Sequence, residues 1–127
     1  AEIFMNQGKA VDAKNRLSTA LRINSLFAPA HYLLGCLYME ENSPDKAKES
    51  LRKAIYIDKF FLIAHFYIAQ AFKSEGNVRD AMREYRNTLN LLSNVKSEDI
   101  IAYSGGFNAA TLMSVVRDNL ERLKLEQ

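Results

Sequence analysis

His31 and His65 stand 34 residues apart, and Cys36 lies five residues beyond the first of them. Imidazole and thiolate are common zinc ligands, but a zinc site normally takes about four convergent donors. At helical spacing His31 and Cys36 fall on different faces, and no acidic residue completes a set. Their repeat-related spacing predicts that the two histidines pack equivalently, and no metal is expected. Ser104-Gly105-Gly106 lacks both the Gly-Lys-Ser/Thr ending and the preceding strand of a phosphate loop. Its adjacent glycines predict a chain reversal instead. No serine sits in a Gly-x-Ser-x-Gly elbow, and Glu40, Glu41 and Asp45 fall at expected helix ends. Nothing here assembles an active site, so this chain is expected to be neither an enzyme nor a holder of a cofactor.

The elements come from composition and period. The chain has 127 residues, 48% of them apolar, enough for one domain with a buried core. Lys and Arg (17) exceed Asp and Glu (15) by a formal +2, too little to predict binding to nucleic acid or to a membrane surface. A single cysteine fits a reducing compartment, with cytoplasm the expected location. Charged residues interrupt every apolar stretch well short of the roughly 20 residues that span a bilayer.

Sliding the sequence by 34 residues aligns it with itself without a gap. Ala1, Gly35 and Ala69 superpose, as do Phe4, Tyr38 and Phe72, then Ala13, Ala47 and Ala81, then Leu17, Leu51 and Tyr85. Ala20, Ala54 and Thr88 follow. Within each unit the apolar positions recur at helical spacing, so each unit reads as two helices. Breaks are expected at Gly8, at Asn42-Ser43-Pro44 and at Gly76-Asn77, with Ser43 capping a helix that starts at Pro44. This predicts helices over 1–7, 10–23, 28–41, 44–57, 62–75 and 78–92.

Leu34-Gly35, Tyr38, Ala47, Leu51 and Ala54 have the signature spacing of the tetratricopeptide repeat family, which residues 1–93 resemble. The resemblance implies an all-α superhelix of antiparallel helix pairs: a truncated repeat over 1–27 and repeats over 28–61 and 62–93. In that arrangement Gly35 or Ala69 lets the first helix of a pair approach Ala47 or Ala81 on the second. His31 and His65 replace the usual bulky aromatic residue, and Lys59 and Ser93 the usual helix-ending proline. Ala1 falls at the eighth position of a unit. The first helix is therefore expected to be cut and the chain to be a piece of a longer polypeptide. The cut leaves an apolar edge around Ala1 and Phe4, which preceding residues of a longer parent are expected to cover; self-association through that edge is the rival expectation.

A connecting loop over 94–107 and a capping helix over 108–127 complete the expected organisation. Leu112, Val115, Val116, Leu120 and Leu123 share one face of that helix, which suits a cap hiding the last repeat. The segment Tyr103–Met113 resembles the tetratricopeptide extension of chemotaxis receptor glutamate methyltransferases. That likeness implies a bacterial parent protein whose separate catalytic domain uses S-adenosylmethionine, with this part making protein contacts in signal transduction.

The family resemblance also implies a concave groove lined by the first helix of each unit. Carried onto this sequence, the groove residues are Tyr32, Leu33, Cys36, Met39 and Glu40, then Phe66, Tyr67, Gln70 and Lys73, with Glu2, Met5 and Asn6 from the first unit. Their aromatic and apolar character predicts a protein or peptide partner, laid in as an amphipathic helix or an extended segment. Leu33, Ile63 and Tyr67 stand where a carboxylate clamp would need cations, so a free C-terminus is not the expected ligand. Covering of the groove by the C-terminal helix or a neighbouring domain, self-association, and a scaffold or adaptor role in an unrelated cytoplasmic protein are the competing expectations.

Overall fold

Asn42 and Gly76 occupy the same place in successive repeats, and both adopt left-handed backbone, with φ of 60° and 77°. Each closes a helix in the same way. Asn42 N–H donates to Met39 O and Ser43 N–H to Tyr38 O, while Gly76 N–H donates to Lys73 O and Asn77 N–H to Phe72 O. This doubled bond satisfies the orphan carbonyls of a helix end and turns the chain within three residues. The computed structural model describes the backbone of residues 2–126 and the side chains of residues 8–126. Within it the helices are α1 (Glu2–Ile23), α2 (Ala28–Glu40), α3 (Pro44–Ile57), α4 (Leu62–Ser74), α5 (Val78–Leu92) and α6 (Ala109–Lys124). The described residues form no strand, only an isolated bridge between Ile100 and Asn108. The fold is all-α, and none of these helices is long and apolar enough to cross a membrane.

The chain divides into two compact units, residues 1–58 and 59–127. Each unit has its own buried cluster. In the first, α2 packs on α1 and α3, and Tyr32, Leu34, Ala47, Leu51 and Ala54 are buried. In the second, α4 and α6 pack on α5, burying Phe66, Phe72, Tyr85, Leu112, Val116 and Leu123.

Gly35 sets the spacing of the first helix pair. A Cβ built there would stand 2.7 Å from Leu51 Cγ and 3.3 Å from the Ala47 carbonyl oxygen, and Ala47 and Leu51 are fully buried. The small residues of the repeat thus mark the crossing of α2 over α3. His31 and His65 also take equivalent places. Nε2–H of His31 donates to Ser25 O at 2.9 Å, and that of His65 to Lys59 O at 3.0 Å. Each ring fastens the loop that precedes its helix.

Two expectations are corrected. The break at Gly8 does not occur, because α1 runs unbroken from Glu2 to Ile23. Lys9 and Ala10 stand where the two true turns have Ser43-Pro44 and Asn77-Val78, so nothing starts a new helix. Gly8 is tolerated inside the old one at a cost of about 1 kcal/mol. Secondly, Ser43 makes no side-chain cap bond. The start of α3 rests on Pro44, whose missing N–H removes an orphan donor. By contrast Asn77 Oδ1 accepts from Asp80 N–H at 3.2 Å and Asn108 Oδ1 from Thr111 N–H at 2.8 Å. The expected open edge at Ala1 and Phe4, and the side chains of Glu2, Met5 and Asn6, lie outside the described residues.

The loop before α6 is held by backbone bonds. Ile101 N–H donates to Phe107 O at 2.8 Å, Ala109 N–H to Asp99 O at 2.8 Å and Ala110 N–H to Ser97 O at 3.0 Å. Gly105 and Gly106, with φ of 80° and 100°, make the reversal expected of them. Ile101 is buried beneath the loop, and Tyr103 stacks on Phe61 with ring centroids 5.6 Å apart.

Gly35 and Gly8 give opposite expectations for the same substitution. Gly35→Ala overpacks the crossing and lowers stability by about 1–3 kcal/mol. Gly8→Ala meets nothing within 4 Å and raises stability by about 0.5–1 kcal/mol, the ordinary helical preference for Ala. Urea unfolding of the two variants checks both signs. A loss at Gly8 would place a turn there after all.

Candidate partner-binding cleft

α1 and α2 leave a cleft between them of about 370 Å³, lined by Ala13, Arg16, Leu17, Leu33, Cys36, Leu37 and Glu40. A second recess of about 410 Å³ shares Ala13, Leu37 and Glu40 and adds Lys9 and Ala10. Together they make a trough along the two helices. Helical spacing explains the lining, since Lys9, Ala13, Arg16 and Leu17 follow one face of α1, and Leu33, Cys36, Leu37 and Glu40 one face of α2. The floor is apolar and the charges sit at the rim. Leu33 is exposed, Leu37 and Cys36 are half-buried, and Arg16 and Glu40 are exposed. Arg16 and Glu40 make no ion pair among the described residues, whereas nearby Lys14 is paired with Glu41.

Cys36 is the chain's single cysteine. Burial pushes its thiol above the ordinary value, the hydrogen bond with the Tyr32 side chain offsets part of that, and the Glu40 carboxylate adds to the rise. A thiol held protonated is a weak nucleophile. It lines the cleft as a small apolar surface and not as a reactive group.

The expected groove residues separate into three groups. Leu33, Cys36 and Glu40 line the cleft, with Met39 half-buried on the same helix. Tyr32 and Phe66 are withdrawn into the cores. Both side chains are packed inside and offer a partner little surface. Tyr67, Gln70 and Lys73 are half-buried on α4 and are engaged within their own unit. Tyr67 lies edge-on to Phe66 at 5.4 Å, Gln70 Oε1 accepts from the Tyr85 hydroxyl, and Lys73 Nζ donates to Asn119 Oδ1 at 2.7 Å. The C-terminal helix thus takes up Lys73, the single cation among the expected groove residues. Asn119 is buried and its Nδ2 donates to Val115 O at 2.9 Å. A polar residue on the apolar stripe of Leu112, Val116, Leu120 and Leu123 is the sequence signal for that contact.

A larger recess of about 850 Å³ lies against α3 and includes Leu26, His31, Asp45, Glu49, Lys53 and Tyr56. Its charges are largely satisfied along the helix, where Glu49 pairs with Lys53 at 3.6 Å and Asp45 with Lys48 at 3.5 Å. No group of three or more His, Cys, Asp or Glu residues that could hold a metal occurs among the described residues.

Two expectations follow. Iodoacetamide modifies Cys36 more slowly than a free-cysteine peptide at pH 8, and the rate keeps climbing above pH 9, because the thiolate is the reacting form. Mass spectrometry of the single site measures this directly, and an unshifted rate profile would contradict it. For Tyr85, burial raises the phenol above its ordinary value of about 10. The protonated form is the one the fold favours, so its contribution is complete below about pH 10 and is lost as pH rises beyond. Tyr85→Phe should cost about 1 kcal/mol at neutral pH, by loss of the bond to Gln70. It should also shrink the difference in stability between pH 9 and pH 11.

Residues 28–61 match the tetratricopeptide repeat family, the same bounds as the central repeat of the sequence. No curated protein sequence matches the chain. Among solved structures the chain is similar to the Yersinia enterocolitica type III secretion chaperone SycD in complex with a peptide of the translocator YopD. The two share 18% identity over 96% of this chain and 85% of that one, with a TM-score of 0.79. It is also similar to PcrH in complex with the chaperone-binding region of PopD, at 16% identity over 96% and 84% of the two chains and a TM-score of 0.76. The first tetratricopeptide domain of Spaghetti, bound to an HSP90 peptide, matches at 14% identity over 94% and 86%, with a TM-score of 0.66. At these identities the likeness establishes a common fold.

Proposed function

We propose that this chain is a non-catalytic protein-interaction module that binds a peptide segment of another protein. The observation that carries the reading is the α1–α2 cleft, an apolar floor with exposed Leu33 and, at its rim, Arg16 and Glu40, which have no ion pair among the described residues. Such a surface offers an apolar anchor its desolvation energy and offers flanking charges their register. SycD, PcrH and the Spaghetti domain, which share the fold, were each solved with a peptide bound. The exposed leucine favours an apolar side chain over a free carboxylate as the group taken in.

The finer reading is that this module extends a chemotaxis receptor methyltransferase of the cytoplasm, whose own domain binds S-adenosylmethionine. It rests on the Tyr103–Met113 segment alone. The gene encoding this chain decides it, because that reading requires a methyl-donor domain in the same polypeptide.

Selection from a displayed random 12-residue peptide library tests the module itself. Recovered peptides are expected to lose at least ten-fold in affinity for Leu33→Glu, a change at an exposed position that leaves the circular dichroism unaltered. Sedimentation of the free chain supplies the other arm. A dimer that Leu33→Glu dissociates, with no peptide recovered, would replace a foreign partner by self-association.

A further inference from the structure

A recess of about 290 Å³ lies where the last turn of α1 meets α2 and α3, and it shares no residue with the α1–α2 cleft. Leu21, Leu34 and Tyr38 give it apolar walls, and Lys46, Ser50 and Lys53 line it from one stripe of α3. Ser50 is 8% exposed, yet its hydroxyl makes no hydrogen bond among the described residues. None of their buried polar side-chain atoms is both sealed from solvent and unpartnered, so the Ser50 oxygen opens onto the recess. A helical Ser or Thr withdrawn from solvent ordinarily bonds back to the carbonyl four residues earlier, as Thr88 does to Glu84 O at 2.9 Å. Ser50 makes no such bond.

The charges around that hydroxyl do not cancel. Lys46 Nζ lies 5.9 Å from the centre of the Tyr38 ring and has no ion pair among the described residues. Lys53 is shared with Glu49 at 3.6 Å. Two cations against one carboxylate leave the lining with one positive charge. The repeat itself does not demand these polar residues. One register later Leu34 and Tyr38 stay apolar as Ile68 and Phe72, while Lys46, Ser50 and Lys53 become Asp80, Glu84 and Asn87. There Asp80 and Glu84 are both paired with Arg83.

We propose that this recess binds a small organic monocarboxylate, its carboxylate held by the Ser50 hydroxyl and the Lys46 ammonium and its apolar tail laid against Leu34 and Tyr38. A withdrawn hydroxyl without a partner recovers its lost hydration only from a ligand that hydrogen-bonds it. A carboxylate accepts from both hydroxyl and ammonium, and such charge-assisted bonds are the strong ones. One net positive charge matches a monoanion, and Glu49 on the same lining repels a second negative charge of the kind inorganic phosphate carries. The apolar walls reward a ligand with carbon to bury and give nothing to a bare ion. The volume stands at the small end of ligand pockets, and the recess is more enclosed than the α1–α2 cleft, which suits a free molecule over a chain segment.

The test titrates the full chain with a fluorine-labelled phenylpropanoate, read by fluorine NMR at neutral pH. Saturable binding is expected, with the matching phenylpropanol about ten-fold weaker for want of the charged acceptor. Ser50→Ala should weaken the carboxylate by about ten-fold while leaving the urea midpoint unchanged or higher, since the hydroxyl removed had no partner to lose. A hydroxyl with a merely structural role would lower the midpoint instead. Lys46→Ala, at an exposed position that cannot disturb the core, should weaken binding by about three-fold. The alkylation rate of Cys36 should not change when the ligand is bound, because that thiol lines the other cleft. An alcohol that binds as well as the acid, or binding indifferent to both Ser50→Ala and Lys46→Ala, would overturn the proposal. So would displacement of the probe by equimolar inorganic phosphate or by a capped Gly-Glu-Gly peptide, protection of Cys36, or the absence of saturable binding. Leu33-dependent peptides test the α1–α2 cleft separately, so either result stands without the other.

Discussion

The close approach of α2 and α3 at Gly35 is the constraint on which the first unit is built. With no Cβ in the way, the α2 backbone can lie against the Leu51 side chain and the Ala47 carbonyl. Ala47 and Leu51, the residues at that crossing, are completely buried. Helix pairs bring little hydrogen bonding to one another, so their association rests on packed apolar area, and area is gained only when surfaces meet without gaps. The paired left-handed turns at Asn42 and Gly76 serve the same end, reversing the chain in a few residues so that consecutive helices face each other.

A repeat of this kind buries its faces only with help from its neighbours. That dependence is what makes the α1–α2 surface informative. The register gives Ala13 and Leu17 the residue types of a crossing, yet the uninterrupted α1 leaves them half-covered. The result is an apolar trough whose rim charges, Arg16 and Glu40, have no ion-pair partner among the described residues. On the second unit the corresponding demand is met internally, because α6 closes over α5 and Asn119 accepts from Lys73. Candidate binding surface is thus concentrated on the α1–α2 face.

Much of the architecture was legible in the residues. The 34-residue register, the Gly-and-Ala crossings and the turn residues at positions 42–44 and 76–77 determined the helices between 28 and 92 to within a residue. Periodicity and turn chemistry are local properties that a single chain displays. The equivalence of His31 and His65, and the reversal at Gly105-Gly106, were legible for the same reason. Gly8 was misleading because an isolated glycine is compatible with either a turn or a helix interior, and only the absence of a following cap separates them.

What the sequence could not decide was which of its apolar positions remain exposed. Tyr32 and Leu33 are adjacent and both apolar in character, yet one is buried and the other exposed, a difference set by where neighbouring helices lie. The engagement of Gln70 by Tyr85 and of Lys73 by Asn119 joins residues 15 and 46 positions apart, beyond the reach of any local pattern. The residues themselves determined an all-helical repeat, because helical period and chain reversal are encoded within a few neighbouring positions. The packing decided the cleft, because burial and pairing depend on what a fold brings together from distant parts of the chain.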